Sequence, residues 1–355
     1  MTDNQTPATS KAPARKLPRR APFRLGTLDV MAGKSGTGEL PISRLVTGTH
    51  ISLPLRVLHG AHDGPTVWLS AAVHGDEVAG VEIIRRALET VDARRLRGTV
   101  LAVPIVNVHG FLSGDRYLPD RRDLNRSFPG SATGSLAGRI AHLFMNQVVE
   151  RCDVGIDLHT GSDHRTNLPQ IRADLDDPET RVLAEAFGAP FMLHAKLRDG
   201  SMRAAATAAG ATVLLFEGGE AWRLDEAAVS CGVRGIRRVL RQLEMIDDEL
   251  EPLAPPIESR SSGWIRARRS GICSMHVGLG DLVQKGETIA AIHDSVGVRV
   301  SSMKATRSGL VIGHSRQPLV NQGDAIVHIA DVDAADAASA LSSTPRSRRN
   351  SKDFS

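Results

Sequence analysis

The alternation of apolar runs with amphipathic stretches over residues 23–250 is the feature that most constrains the fold of this 355-residue chain. Short apolar runs predict buried strands at 67–73, 99–106, 154–160 and 211–217. Apolar residues at helical spacing predict helices at 78–92, 136–149, 178–188 and 224–247. Apolar strands separated by helices favour an α/β fold, in which a mixed, mostly parallel sheet has helices on both faces.

The sequence changes character after Pro252, Pro255 and Pro256. Short β-like runs punctuated by glycine follow over residues 260–331, which is typical of a small β-barrel or sandwich. We therefore predict a main domain at 23–252 and a C-terminal β module at 258–331.

Within this module, GDLVQKGE at 280–287 and the later Met303-Lys304 pair are similar to the lipoyl and biotinyl carrier domains, in which a lysine is modified at a hairpin tip. Ala305 stands where a biotin carrier has a second methionine, so we predict a carrier-like fold without the prosthetic group. Its expected role is to shape the mouth of an active site or to build a homo-oligomer.

The basic character of the chain, with a formal net charge of +4, lies in its two ends. Residues 1–20 carry a net charge of +4 and residues 334–355 carry +2, which leaves −2 for the residues between them. Both ends lack apolar periodicity, so we predict disordered tails at 1–22 and 334–355. The sequence thus predicts no specific nucleic-acid partner, although a loose polyanion contact through the tails stays open.

Membrane and disulfide-bonded classes are disfavoured by composition. No segment approaches the roughly 20 apolar residues that cross a bilayer, and no apolar leader precedes a small-residue cleavage site, so the expected location is the cytoplasm. Cys152, Cys231 and Cys273 form no CxxC pair, which predicts small buried hydrophobic residues rather than a disulfide framework or thiolate metal site.

Polar side chains follow two of the predicted strands. In AAVHGDEVAG, His74 and Glu77 stand at the end of the 67–73 strand, and in VGIDLHTG, His159 ends the 154–160 strand. Open α/β sheets bind their ligands at this carboxyl edge, and a mixed set of imidazole and carboxylate suits zinc with an open water position. Asp157 points to the same side of its strand as His159 and is a candidate to orient the site.

Further motifs follow these residues in a fixed order. The stretch SGDRYLPDRRDLNRSFPG at 113–130 contains Arg116 and the pair Asn125-Arg126, and LLFEGGE places Glu217 at a strand end. From about residue 40 to 331, the chain resembles the succinylglutamate desuccinylase/aspartoacylase family, in the bacterial branch of predicted deacylases that carries a C-terminal β module. The catalytic domain of this family is similar to that of zinc carboxypeptidases.

The resemblance implies a role for each matched residue. His74, Glu77 and His159 would bind one Zn²⁺ per chain. By the same resemblance, Arg116 would polarise the scissile carbonyl, and Asn125 with Arg126 would grip a substrate carboxylate. Finally, Glu217 would be the general base that takes a proton from the metal-activated water and passes it to the leaving amine.

These roles predict a zinc-dependent amide hydrolase that acts on a small N-acyl amino acid or a related N-acyl compound. A carboxypeptidase-like peptide hydrolase and a non-catalytic metal- or ligand-binding protein remain alternatives. The sequence does not determine the acyl group, because the loops that shape the pocket cannot be placed from it.

Several neighbours of the matched residues also need an interpretation. Arg121, Arg122 and Asp123 are expected to form a solvated charged loop. Tyr117 is the only tyrosine, and an extended backbone would turn it away from Arg116, so we assign it no catalytic role.

Other titratable residues lie close to the motifs as well. Glu220 competes with Glu217 for the role of base, and we favour Glu217 because it directly follows the apolar strand. His109 and His164 are expected to be structural or surface histidines.

Overall fold

The computed structural model describes residues 20–162, 164–252 and 254–333. The predicted tail at 334–355 and residues 1–19 of the predicted N-terminal tail lie outside the described residues. Arg20 packs on the main domain, where its Nη1 donates to the Gly98 carbonyl at 2.7 Å.

Nineteen strands form within the described ranges. Those before residue 255 are β1 (Phe23–Leu25), β2 (Leu28–Val30), β3 (Lys34–Arg44), β4 (His50–His59), β5 (His62–Ala71), β6 (Arg97–Val103), β7 (Val154–Gly161), β8 (Arg165–Ala173), β9 (Phe191–His194) and β10 (Thr212–Glu220). The later ones are β11 (Ile257–Ser259), β12 (Ser262–Arg266), β13 (Gly271–Met275), β14 (Leu282–Val283), β15 (Thr288–His293), β16 (Arg299–Lys304), β17 (Gly309–Ser315), β18 (Leu319–Val320) and β19 (Ala325–Ala330).

The same ranges contain six α-helices. They are α1 (Ala79–Glu89), α2 (Val108–Ser113), α3 (Leu136–Gln147), α4 (Pro178–Phe187), α5 (Met202–Ala208) and α6 (Glu226–Gln242). Leu124–Arg126 and Val149–Arg151 form short 3₁₀ turns. None of the helices in the described part is long and apolar enough to span a bilayer.

The predicted mixed α/β sheet is confirmed, and its parallel part lies at the centre. Strands β6, β5, β7 and β10 pair in parallel in that order. Antiparallel strands flank them, with β4 and β3 on one side and β8 on the other. The four apolar runs at 67–73, 99–106, 154–160 and 211–217 each correspond to one of the central parallel strands.

Helices cover both faces of the sheet, because the central strands bury side chains alternately on each side. Leu69 packs into a core with α1, α4 and α6, whereas its neighbour Trp68 packs into a second core with α3 and α5. All four helices predicted from helical spacing are present, and each begins within two residues of its predicted start. The hairpin β3–β4 and strand β8 were not predicted. Polar residues and glycines interrupt the apolar pattern of β3, and polar residues that of β8, whereas the alternation of Ile51, Leu53, Leu55 and Val57 in β4 was an available signal.

The predicted β module is built from two sheets that enclose a core with Ile265, Ile292 and Val311. One sheet contains β16, β15, β13 and β18, and the other contains β12, β19, β17 and β14. The second sheet is not free-standing, since β17 pairs antiparallel with β8 through Gly313 and Asn167. Lys304 ends β16 and pairs with Thr288, so it does not occupy a hairpin tip.

The cysteines pack as expected for small hydrophobic residues. All three are free thiols; Cys231 is buried in the core of the helical layer, and Cys152 and Cys273 are half-buried against the cores beside them.

We predict that Gly155→Ala destabilises the protein by about 1–3 kcal/mol, because a methyl group there would lie 1.9 Å from Cζ2 of the fully buried Trp68. The free energy of unfolding in urea measures the effect. Gly134→Ala is the control, since its nearest neighbours lie 3.4 Å away, and it should change stability by less than about 0.5 kcal/mol. Equal stability of the two variants would contradict the prediction.

Candidate active site

The turn between β5 and α1 carries His74 and Glu77 at the carboxyl edge of the parallel strands. Gly75 lies in this turn, where a Cβ would come within 2.0 Å of the Gly110 carbonyl carbon, so only glycine fits. His159 lies near the end of β7, the parallel neighbour of β5. The fold therefore brings together the three predicted metal ligands from the β5–α1 turn and the end of the neighbouring strand β7.

Glu77 links the two histidines. Its Oε1 lies 2.8 Å from His74 Nδ1 and its Oε2 lies 2.7 Å from His159 Nδ1. All three side chains are buried, and one donor atom from each lies within 4.8 Å of the others. Two nitrogen donors and a carboxylate oxygen at these distances can hold a divalent metal ion.

A carboxylate holds the remaining nitrogen of each imidazole. Asp157 Oδ2 lies 2.8 Å from His159 Nε2, and Asp123 Oδ1 lies 3.2 Å from His74 Nε2. Such contacts fix the orientation of a ligating imidazole and direct its other nitrogen, here the Nδ1 beside Glu77, toward a metal position. The residues therefore fit a metal ion, and Asp157 stands where the sequence predicted an orienting carboxylate.

The expectation of a solvated loop is wrong for Asp123 and right for its two neighbours. Arg121 and Arg122 are exposed, but the Asp123 side chain turns inward to contact His74 and Arg116. Its position three residues before Arg126 was the available signal, since Asp123 caps the 3₁₀ turn that carries this arginine. The identity of its partner 49 positions earlier could not be derived from local sequence.

The cluster balances strong opposing effects on its pKa values. Burial by itself would raise the pKa of Glu77, but the charges and hydrogen bonds of His74 and His159 bring it well below its ordinary value. Burial by itself would lower the pKa of His159, yet Asp157 and Glu77 raise it well above normal. Protons and a metal ion compete for these nitrogens, so metal binding would release protons.

Arg116 reaches the cluster from the loop after α2. Its Nη1 lies 3.4 Å from Glu77 Oε1 and also contacts the Ser162 hydroxyl. Its Nη2 donates to Asp123 Oδ2 at 3.1 Å. These contacts place a fixed guanidinium beside the candidate metal ligands, where negative charge would develop in a hydrolytic reaction.

Asn125 and Arg126 line the same cavity from the 3₁₀ turn. Met202 N donates to Asn125 Oδ1 at 2.9 Å, which fixes this amide and leaves its Nδ2 as the donor group. Arg126 Nη1 contacts the carbonyl of Asn125. The predicted pair is therefore adjacent in space to Arg116 and shares its cavity.

Glu217 lies directly across from His159, its register partner in the β7–β10 pair. Asn167 Nδ2 donates to its Oε2 at 2.7 Å, and Arg172 Nη1 lies 3.5 Å from its Oε1. Glu217 lines the cavity, whereas Glu220 is not among the described lining residues and lies 3.6 Å from Arg316. The geometry favours Glu217 of the two candidates.

These residues surround a cavity of about 580 Å³ whose lining is rich in cationic side chains. Its lining contains the cationic side chains Arg116, Arg126, Arg165, Arg172, Lys196, Arg198 and Arg203. The carboxylates among the described lining residues are Glu77, Asp123 and Glu217. This excess of positive charge favours a ligand with anionic groups.

Sequence reasoning missed the arginines of β8 and the basic residues that follow β9. It also missed Trp264, which reaches the cavity from the C-terminal module. No motif marks these positions. The arginines of β8 come to the site through the pairing of β8 with β10, the basic residues after β9 through the pairing of β9 with β8, and Trp264 through the pairing of β12 with β19 and of β19 with β17.

Tyr117 is not turned away from Arg116, as an extended backbone would have required. The chain bends at 116–117 instead of running extended, so both side chains line the cavity, and the Arg116 guanidinium lies 5.9 Å from the Tyr117 ring. His109 and His164 are absent from the described lining residues.

Comparison with known proteins decides the family. The model of the succinylglutamate desuccinylase/aspartoacylase catalytic domain matches residues 63–243, about half of the chain. The chain belongs to this family. The matched span contains every residue of the predicted site.

Relatives in this family include amide hydrolases. The N-alpha-acetyl-L-2,4-diaminobutyric acid deacetylase of Halomonas elongata is 31% identical over 296 residues, which are 79% of this chain and 86% of the relative. The succinylglutamate desuccinylase of Pseudomonas aeruginosa is 27% identical over 144 residues, which are 37% of this chain and 42% of the relative.

Solved structures of the family share the architecture. The product-bound ectoine utilization protein of Ruegeria pomeroyi aligns with a TM-score of 0.79 and 25% identity, over 89% of this chain and 99% of that one. A succinylglutamate desuccinylase/aspartoacylase from Rhodobacter sphaeroides aligns with a TM-score of 0.75 and 27% identity, over 84% and 96% of the two chains. The alignments extend well beyond the length of the catalytic-domain match.

We predict that Asp157→Asn weakens binding of a divalent metal ion by about 10- to 100-fold, because it removes the carboxylate that orients His159. Competition with a chromophoric chelator measures the affinity. Asp153→Asn is the matched control, since Asp153 is exposed and the one described hydrogen bond of its side chain is accepted from the Thr66 backbone N–H. Equal affinities of the two variants would mean that Asp157 does not orient the ligand.

Proposed function

We propose that this protein is a zinc-dependent deacylase that hydrolyses the amide bond of a small N-acyl amino acid or related N-acyl compound. The observation that carries the proposal is the buried cluster of His74, Glu77 and His159 in the lining of a cavity rich in cationic side chains. Membership of a family whose relatives are named as a deacetylase and a desuccinylase supports the reaction type.

The donor set determines which metal we propose. Two imidazoles and one carboxylate form a set of ligands found in catalytic zinc sites, which leave a fourth position open. When bound, zinc lowers the pKa of a coordinated water to about 7 and so supplies a nucleophile at neutral pH. One ion per chain follows from the one cluster of buried ligands on which the proposal rests.

Glu217 moves the protons in the proposed reaction. Its Oε1 and Oε2 would take a proton from the attacking water and then deliver it to the nitrogen of the leaving amine. The hydrogen bond from Asn167 orients this carboxylate toward the cavity.

The arginines of the 113–130 loop bind the substrate and stabilise charge. Arg116, fixed by Asp123, would donate to the carbonyl oxygen of the scissile amide as negative charge builds on it. Arg126 and the Nδ2 of Asn125 would bind a carboxylate of the substrate, since a guanidinium fork matches that group.

We predict that Glu217→Gln retains about one zinc per chain but loses about 10²- to 10⁴-fold in kcat, because the proton acceptor is removed while the ligands remain. His159→Ala should lose the zinc. Elemental analysis of protein purified without chelator, together with turnover of a panel of N-acyl amino acids and dipeptides, tests both variants.

Glu220→Gln is the matched control for Glu217, and its activity should stay close to that of the wild type. Zinc in the wild type with turnover of dipeptides alone would identify a peptide hydrolase. A chain without stoichiometric metal and without turnover would refute the hydrolase and indicate a binding protein.

We predict that Arg126→Ala raises KM for substrates with a free carboxylate by about 10- to 100-fold, since hydrogen bonds to charged groups contribute about 1.5–3 kcal/mol. Its kcat should change little, because the interaction is present in the ground state as well.

Two variants control for this result. Arg126→Lys keeps the charge but loses the fork, so its KM should be intermediate. Arg121→Ala removes an exposed arginine of the same loop and should leave KM unchanged. If Arg121→Ala raises KM as much as Arg126→Ala does, the clamp is misassigned.

A further inference from the structure

The C-terminal module contributes one described side chain, Trp264 of β12, to the lining of the catalytic cavity. The Arg165 guanidinium, which also lines the cavity, lies 5.6 Å from the centre of the Trp264 ring. The indole itself, and not only the backbone of β12, therefore faces the cavity.

The indole is held in place from within the module. Its cross-strand partner His328 stacks on it, with ring centroids 4.7 Å apart and an interplanar angle of 11°. His328 is buried, and its Nε2 lies 3.0 Å from the Ser262 hydroxyl. Burial lowers the pKa of His328 to about 3, so the stacked imidazole is neutral at pH 7.

The module strand that pairs with β8 also connects Trp264 to the catalytic groups. Gly313 of β17 is the register partner of Asn167, the residue that orients Glu217. β17 in turn pairs with β19, whose His328 supports the indole. Continuous strand pairing therefore sets the distance between the indole and the catalytic carboxylate, and the indole is a fixed wall rather than a movable lid.

We propose that Trp264 is a specificity-determining residue that limits the size of the acyl group. This inference rests on the proposed deacylase function. Asn125 and Arg126, which would hold the carboxylate of the amino acid, contact the 198–202 segment, whereas Trp264 contacts β8 and β19. In this proposal, the group across the amide bond from the carboxylate anchored at Arg126 extends toward the wall that contains Trp264.

A rigid wall discriminates by size. A methylene group that a rigid pocket cannot accommodate changes kcat/KM by about 10- to 200-fold. Replacing the indole with a methyl group removes this wall and leaves the zinc ligands, Arg116 and Glu217 unchanged.

The test compares the wild type with Trp264→Ala and Trp264→Phe. The substrates are acetyl, butyryl and hexanoyl derivatives of the amino acid that the wild type hydrolyses best. We expect the ratio of kcat/KM for the hexanoyl over the acetyl substrate to rise about tenfold or more in Trp264→Ala, and less in Trp264→Phe. A second series, with the acyl group fixed and the amino acid varied, should keep its order of preference.

Leu319→Ala, at an exposed position of β18 in the other sheet of the module, is the control and should leave both series unchanged. Zinc content and thermal unfolding confirm that each variant is folded. Folded, zinc-loaded Trp264 variants with an unchanged acyl series would overturn the proposal. A change in the amino-acid series alone would overturn it as well.

Binding of free carboxylates tests the role of Trp264 independently of the proposed deacylase activity. Calorimetry with acetate, butyrate and hexanoate on the zinc-loaded proteins measures the size of the acyl pocket without turnover. Absence of turnover by the wild type, together with tighter hexanoate binding by Trp264→Ala, would refute the deacylase and retain Trp264 as the size limit. Turnover by the wild type, with no change of either series in Trp264→Ala, would support the deacylase and refute Trp264 as the size limit.

Discussion

The buried carboxylate of Glu77 is the interaction on which the rest of the site depends. An ionised carboxylate at 1% exposure is stable only with close partners, and His74 and His159 supply them at 2.8 and 2.7 Å. Each histidine in turn needs a carboxylate on its other nitrogen. The network of contacts extends from Glu77 through the two histidines to Asp157 of β7 and to Asp123 in the loop after α2.

This chain of contacts also organises the substrate side of the cavity. Asp123 holds both a histidine of the metal cluster and Arg116, so a single carboxylate positions a candidate ligand and a candidate oxyanion donor. The same loop carries Asn125 and Arg126. The groups proposed to act on the scissile carbonyl and those proposed to bind the substrate carboxylate are thus fixed relative to one another, which is the preorganisation that catalysis by positioning requires.

The C-terminal module extends the central sheet and also contributes to the candidate site. Its strand β17 extends the central sheet at β8, and β8 supplies Asn167 and Arg172, which contact Glu217. Loss of this pairing would expose an edge of β8 and release the support of Glu217, the proposed general base. The module therefore bears directly on the geometry around Glu217, and Trp264 brings it into contact with the cavity.

The sequence by itself determined the central strands, their helices and the residues His74, Glu77 and His159, because apolar periodicity and strand-end motifs are local signals. Only the tertiary structure decided that Asp123 supports His74 and that Trp264 reaches the cavity. These contacts join segments far apart in the chain, and they depend on loop conformation and strand order. Local sequence does not specify loop conformation or strand order, since the same charged loop could be solvated and the same β module could fold without contact to the main sheet.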